Sequence, residues 1–310
     1  MEIQGNLIAN KYLIHGEIGR GKFGVVYKGE HLKYRTKVAI KMEQNTSTYN
    51  TIKYEATILN YLYNNGCRII PSVLWYGIYS DYKCLTMNYY DQTIEQYLQL
   101  ARNKYACSPI DYLKQVMKLI VNMVGILGQI HKHQIIHRDI KPENFMITAG
   151  ELHIIDFGIS SAVSNLEEIN KQPTRDTIIG SPKYISYFIH QGYEPMYRDD
   201  LISVGYCFFY FAFESLPWSN ISIKENSSSI QHVYPEIHIL NEKNQERKKQ
   251  KEWKNIELIV NTLHLNHKNS SPKYAEIFTN IFEYFTLCYS LELDEQPFYE
   301  ELCQVLQKNL

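Results

Sequence analysis

The 310-residue chain has no charge excess: 32 Lys+Arg stand against 33 Asp+Glu, a formal net of −1. Nucleic-acid binders carry a strongly basic balance, so no nucleic-acid partner is expected. Cysteine is sparse and scattered, with six at positions 67, 84, 107, 207, 288 and 303, no C-x-x-C pair and no close spacing to a histidine. That excludes a disulfide framework or a zinc site as the leading expectation and suits free thiols in a reducing compartment. The N-terminus, MEIQGNLIANKYLIHGEIG, has no basic start followed by an apolar run and no Met-Gly start, and the C-terminal QKNL is no prenylation box. The stretch Val204 to Phe213 reads as the most apolar and is too short to span a bilayer. A monomer without membrane association, in the cytoplasm or nucleus, is expected.

What is present is an ordinary globular composition, 45% hydrophobic and 21% charged. The length exceeds what one growing core supports, so two domains or lobes are expected. Tyrosine is abundant, 26 beside 3 Trp, in company with many Asn, Lys and Ile. These residues share AT-rich codons, and the excess carries no functional implication.

The first ninety residues are strand-rich. Short β-branched and aromatic runs at Tyr12–Ile14, Val25–Tyr27, Val38–Met42, Val73–Tyr79 and Cys84–Met87 alternate with Gly or polar turns. One helix interrupts them: Ile52, Ala56, Leu59 and Tyr63 share one face of a helix near 51–64. After Asp91 the pattern turns helical. Leu113, Val116, Ile120, Met123, Leu127 and Ile130 step by three and four, Leu201–Phe213 is apolar nearly all round, and Tyr274–Tyr289 and Phe298–Gln307 read as further packed helices. The predicted class is therefore α+β, with a small β-rich lobe over 1–90 and a larger α-rich lobe over 91–310. Residues 219–250, polar and rich in Ser and Asn, read as a long mobile surface insertion. From Asn241 to Lys254 six Lys/Arg and three Glu give a local net of +3, read as a solvated basic surface.

Several short strings carry chemistry. Gly19-Arg-Gly21-Lys-Phe-Gly24-Val-Val26 lies between two predicted strands, where glycines let a hairpin approach phosphates with bare backbone N–H groups. A dinucleotide fingerprint would open a helix at its third glycine, whereas Val25-Val26-Tyr27 continues as strand. Val38-Ala39-Ile40-Lys41 ends an apolar strand on a lysine, and Glu55 on the predicted helix is the candidate carboxylate to hold it. His137-Arg-Asp139-Ile-Lys141-Pro-Glu-Asn144 then precedes Asp156-Phe157-Gly158. His131, His133 and His137 invite a metal reading, but packing at a helix end and in a loop is the simpler one.

In this order and these contexts, the strings resemble the eukaryotic protein kinases. The resemblance implies one two-lobed kinase domain over 12–310, with a small antiparallel β lobe and ATP in the cleft. It implies that Asp139 accepts the proton of a substrate hydroxyl and Lys141 neutralises the transferring phosphoryl group. Asn144 and Asp156 would hold Mg²⁺. Lys41, fixed by Glu55, would bind the α/β-phosphates beneath Gly19, Gly21 and Gly24. Ile18, Val26, Ala39, Met87, Met146 and Ile155 would enclose the adenine, with backbone near Tyr90 reading its edge.

Most protein kinases close the activation segment with Ala-Pro-Glu, which has no counterpart here. Gly180-Ser-Pro-Lys-Tyr-Ile-Ser186, Tyr197-Arg-Asp-Asp-Leu-Ile-Ser-Val-Gly-Tyr206 and Ser215-Leu-Pro-Trp218 are instead similar to the casein kinase I family of Ser/Thr kinases, as are Asn10-Lys-Tyr12 and Leu293-Asp-Glu-Gln-Pro-Phe-Tyr299. That family implies protein substrates with acidic or phosphorylated residues upstream, read by a basic anion site. Lys183 and Lys251 fall on two of its positions; the third is lost, since Asp176 stands there, with Arg175 beside it as the candidate substitute. Thr174, Thr177 and Ser181 are candidate phosphate acceptors, though the family implies no requirement for them. Asp200 is expected to brace the catalytic-loop backbone. The last predicted helix lies close to the end of the sequence, so the C-terminal tail of some relatives is not expected. The rival reading is a pseudokinase-like binding scaffold, whose usual mark, loss of the lysine or of either aspartate, is not found here.

Overall fold

The computed structural model describes residues 5–21, 24–46, 50–163, 172–173, 178–219, 235–268 and 272–308. The chain forms two compact units, each discontinuous in sequence: Met1–Ile94 with Glu143–Ser160, and Glu95–Pro142 with Ser161–Leu310.

The first unit is built on an antiparallel sheet of β1 (Leu7–Ile8), β2 (Tyr12–Gly21), β3 (Gly24–His31), β4 (Lys37–Gln44), β5 (Val73–Tyr79) and β6 (Tyr82–Asn88), in the order β1-β2-β3-β4-β6-β5. Alternation along β4 separates its two faces. Val38, Ile40 and Met42 join Ile8, Tyr12, Ile14 and Cys84 in an apolar core, which sends Ala39 and Lys41 to the opposite side. The register sets Val26 against Lys41 and Ala39 against Met87. Helix α1 (Thr51–Asn64) buries Ile52, Ala56, Ile58, Leu59 and Leu62, and with them Glu55. Its N-cap residue Asn50 makes no capping bond. Glu43 of β4 takes that place, since its Oε2 accepts from Thr51 Oγ1 at 2.8 Å and from the Ile52 N–H at 3.2 Å. A carboxylate satisfying orphan N–H groups at a helix N-terminus is favourable for hydrogen bonding and for the helix dipole. It also ties α1 to the strand that carries Lys41. A hairpin of Phe145–Thr148 and Glu151–Ile154 pairs with Gln92–Thr93 and completes the unit.

The second unit is helical: α2 (Ile94–Lys104), α3 (Pro109–His131), α4 (Tyr187–His190), α5 (Tyr197–Phe213), α6 (Pro235–Gln250), α7 (Trp253–Lys268), α8 (Pro272–Ser290) and α9 (Tyr299–Gln307). Helix α3 packs against α5, α8 and α9. Among the described residues it is α3, rather than the 204–213 stretch, that is long and apolar enough to cross a membrane by length and composition. Of its most apolar window 61% is buried inside the protein, as a core helix requires. Helix α5 is buried nearly all round, as its apolar sequence predicts. The tyrosines find a structural use here. Their rings fill the core while hydroxyls reach backbone carbonyls, Tyr112 to Phe211 at 2.6 Å and Tyr284 to Leu201 at 2.8 Å.

The expected insertion needs a correction. Residues 220–234 lie outside the described residues, but Pro235–Gln250 is a helix, and Lys251 just beyond it is fully buried. The polarity of this segment suggested a loop, yet it is rich in the helix formers Glu, Lys, Gln and Arg. Pro235 stands at its first position, and Arg247, Lys248 and Lys249 sit at its C-terminal end where cations complement the dipole.

Two glycines test the helical packing from opposite sides. A Cβ at Gly205 in α5 would lie 2.5 Å from the Phe285 ring, whereas one at Gly125 in α3 meets nothing within 4 Å. Alanine gains about 1 kcal/mol of helix propensity at either site, but overpacking a core costs about 1–3 kcal/mol. Denaturant unfolding should find Gly125→Ala more stable than wild type by up to about 1 kcal/mol. Gly205→Ala should be less stable.

Candidate active site

In the first unit, the sheet face carrying Ala39 and Lys41 meets the buried side of α1. Lys41 Nζ lies 2.7 Å from Glu55 Oε2 and 2.8 Å from Asp156 Oδ1. Glu55 is 1% exposed, and its second oxygen accepts from the Phe157 N–H at 3.2 Å. Burial works against the Lys41 charge, but the carboxylates of Glu55 and Asp156 outweigh it and hold the ammonium above its ordinary pKa. Lys41 is thus a permanent cation with a fixed direction.

Asp156 has φ +66°, a left-handed conformation that a non-glycine residue adopts at a cost of about 1–3 kcal/mol. The neighbouring Phe157 ring is fully buried, and its burial anchors the strained turn. Asn144 closes a 3₁₀ turn, Pro142–Asn144, at the start of the 145–154 hairpin. The Ile155 N–H donates to the Asn144 carbonyl at 2.9 Å, so the hairpin ladder runs one step further and holds Asn144 and Asp156 at its open end. Their side chains offer amide and carboxylate oxygens, hard donors that fit Mg²⁺.

The expected adenine residues all belong to this unit. Met87 and Tyr90 are buried, Val26, Ala39, Met146 and Ile155 half-buried, and Ile18 exposed. Tyr90 stacks on His153 at 4.4 Å, which leaves its backbone rather than its ring to meet a base. The glycines differ among themselves. Gly24 has φ +156° and a Cβ there would stand 2.2 Å from the Met42 carbonyl oxygen, while Gly19 and Gly21 face open space.

In the second unit, Asp139 is buried and held on both oxygens. Lys141 Nζ donates to Oδ2 at 2.6 Å. Ser181 donates to Oδ1 through Oγ at 2.7 Å and through its backbone N–H at 3.1 Å, and Lys141 also reaches Ser181 Oγ at 3.2 Å. Asp200 braces the loop as expected: Oδ2 accepts from the His137 N–H at 2.8 Å and Oδ1 from the Arg138 N–H at 3.0 Å. His131 is buried between Asp200 Oδ2, 3.0 Å away, and the Tyr299 hydroxyl. Among the described residues no group of His, Cys, Asp and Glu is arranged to hold a metal.

Residues 12–280 match the family model of the protein kinase domain. The chain belongs to the protein kinase family. Its β-sheet unit and helical unit are the two-lobed α+β fold of that family. The kinase domain also carries the expectation of phosphotransfer from ATP, with Mg²⁺ as the usual metal.

The kinase structure brings Lys41, Glu55 and Asp156 together in one unit, and Asp139 with Lys141 in the other. It does not assemble the expected anion site. Arg175, like Thr174 and Thr177, lies outside the described residues. Lys183 is exposed on the 180–186 segment. Lys251 is corrected: it is 0% exposed, with its ammonium turned onto backbone carbonyls, so it presents no charge to an anion in solvent. The local +3 charge hid this, because a count of charges does not say which one is buried. Sequence reasoning missed Glu43 as the cap of α1 and saw in Ser181 only a phosphate acceptor.

The glycine pair predicts a split. Gly24→Ala should destabilise the kinase by about 1–3 kcal/mol in thermal unfolding, through its strained backbone and contact with Met42. Gly21→Ala should melt like wild type while raising KM for ATP several-fold, about 1 kcal/mol of lost phosphate approach. Equal melting of the two variants would contradict this hairpin geometry.

Proposed function

We propose that this kinase is an ATP-dependent Ser/Thr protein kinase of casein kinase I type, transferring the γ-phosphoryl group to serine or threonine hydroxyls. The observation that carries the reading is the complete ion-paired set Lys41–Glu55–Asp156 beside Asn144, in a chain that also places Lys141 on Asp139. A chain serving only as a binding scaffold has no need to keep buried charges so arranged.

The residues divide the work by their chemistry. Lys41, fixed in direction by two carboxylates, binds the α/β-phosphates. Gly19 and Gly21 let backbone come close to them. Mg²⁺, when bound by Asn144 and Asp156, neutralises phosphate charge. Asp139 orients the substrate hydroxyl and takes its proton as the oxygen attacks phosphorus and the bond to the ADP oxygen breaks. Lys141 stabilises the charge on the transferring group. Specificity for serine and threonine is supported by the His-Arg-Asp-Ile-Lys string with Ser181 on the base, and the casein kinase I type by the 180–186 and 197–206 strings.

Acidic or phosphorylated residues upstream of the target are proposed to meet the exposed Lys183. The burial of Lys251 makes this preference weaker than a closed basic pocket would give. Cytoplasmic or nuclear location as a monomer completes the proposal.

Radiolabel transfer to peptide series with Ser, Thr or Tyr acceptors tests it. Asp139→Asn should keep the fold and lower turnover by about 10²–10⁴-fold. Lys183→Ala should reduce the advantage of acidic over neutral upstream residues and leave neutral peptides unaffected. Wild-type turnover in Asp139→Asn would overturn the role of the base. ATP binding without transfer to any peptide would replace the proposal with the scaffold reading.

A further inference from the structure

Lys251, displaced from the anion site, poses a question of its own. It stands between α6 and α7, inside the helical unit, and burial draws its pKa well below the ordinary lysine value. An apolar side chain would fill the same space without the cost of burying an ammonium. The 180–192 stretch that it faces, GSPKYISYFIHQG, contains no acidic residue, so no carboxylate of that stretch repays the burial.

What it meets is backbone. Nζ donates to the carbonyls of Ile185 at 2.7 Å and Pro182 at 3.0 Å, and lies 3.3 Å from His190 Nε2. Burial, and after it the Lys251 charge, push His190 down to about 3, and in its neutral form an imidazole with Nε2 unprotonated accepts from Nζ. When protonated, Nζ has three N–H donors, and the site provides an acceptor for each. Nζ also lies 5.2 and 5.1 Å from the ring centres of Tyr206 and Trp218, whose faces favour a cation. Tyr289 closes the arrangement, its hydroxyl donating to the Lys251 carbonyl at 2.8 Å and bonding Tyr206 at 2.6 Å.

The two carbonyls belong to one turn. It is closed by the Tyr184 and Ile185 N–H groups on the Ser181 carbonyl, at 2.8 and 3.1 Å, and its middle is pinned by Trp218 Nε1 on the Lys183 carbonyl at 2.7 Å. Its first residue, Ser181, holds Asp139 Oδ1 through two hydrogen bonds. Just before it, Gly180 packs so closely that a Cβ would stand 2.4 Å from the Arg138 carbonyl oxygen. A contiguous path of hydrogen bonds therefore runs from Lys251 through the turn to the carboxylate of the base.

We propose that Lys251 is a positioning residue for phosphoryl transfer: by holding the Pro182 and Ile185 carbonyls it fixes the Ser181 turn, and through Ser181 the orientation of Asp139. The kinetic part rests on the proposed function, since it takes Asp139 as the base. The structural part, order of the turn, does not.

The test separates the two. Lys251→Met keeps the stem and bulk and loses the donors. It should lower kcat by about 10- to 100-fold, the scale of a small misplacement at a reacting group, while KM for ATP stays within about twofold. In a Ser181→Ala background, which removes the Oγ bond to Asp139 and keeps the backbone N–H bond, the same substitution should lower kcat by less than it does in wild type, because residues acting through one another are not additive. Amide exchange at Ser181, Tyr184 and Ile185 should accelerate in Lys251→Met whether or not the protein transfers phosphate. If Lys251→Met does not fold, Trp218→Phe, which keeps a ring and removes the Nε1 donor, should show the same exchange and kcat pattern at smaller amplitude. Unchanged exchange in the turn, or equal kcat losses with and without Ser181, would overturn the proposal. Accelerated exchange in a protein with no transfer activity would uphold Lys251 as the anchor of the turn while refuting the kinase reading.

Discussion

A single ammonium shared by two carboxylates sets the terms for the first unit. Lys41 is mostly buried and Glu55 wholly so, and charges out of water persist only when paired at close range. Strand β4, helix α1 and the turn at Asp156 therefore have to reach their places together. The sheet puts Lys41 on the face opposite its core by strand alternation alone. Glu43, two residues along the same strand, caps the helix that brings Glu55. The buried Phe157 ring holds Asp156 in its left-handed conformation, and the Phe157 N–H closes the loop back onto Glu55. Each device is modest, and all of them aim one cation in one direction.

The helical unit uses a different economy, in which buried charges hold backbone. The Asp200 carboxylate collects the N–H groups of His137 and Arg138. Lys251 Nζ collects the carbonyls of Pro182 and Ile185. One carboxylate thus gathers donors from the 137–138 backbone, and one lysine gathers acceptors from the 181–186 turn. Asp139 sits where the two segments meet, with Ser181 on one oxygen and Lys141 on the other. Aromatic residues supply the walls, and tyrosine suits the task because its hydroxyl reaches a carbonyl while its ring remains in the core.

The parts legible in the sequence are those with local physical signatures. The β-branched and aromatic runs become strands β2 to β6, with β2 and β3 extending beyond their expected ends to Gly21 and His31, and the four-three-four spacing of Ile52, Ala56, Leu59 and Tyr63 becomes α1. Motifs with fixed internal spacing set Asp139 and Lys141 two residues apart, where their side chains meet at 2.6 Å, and the pairing of Glu55 with Lys41 follows from its helix face. What remained hidden depends on long-range packing. Nothing local distinguishes Lys251 from its basic neighbours Lys248 and Lys249, because its burial comes from Tyr206, Trp218 and the 182–185 carbonyls, all distant in sequence. Helix α6 was obscured by its polarity, since a helix without an apolar stripe looks like a loop to any periodicity argument. The service of Glu43 to α1 is a tertiary cap, and no capping pattern at Asn50 announces it.

The central claim is that the Lys41–Glu55–Asp156 arrangement is the working part of the first unit rather than a means of stabilising it. Turnover of Glu55→Gln, measured alongside its thermal unfolding, tests this most directly, because glutamine keeps the shape and removes one charge. The account predicts a folded protein whose turnover falls by about 10²-fold, as breaking a buried pair leaves Lys41 with a single ionic partner. A folded variant with wild-type turnover would contradict it.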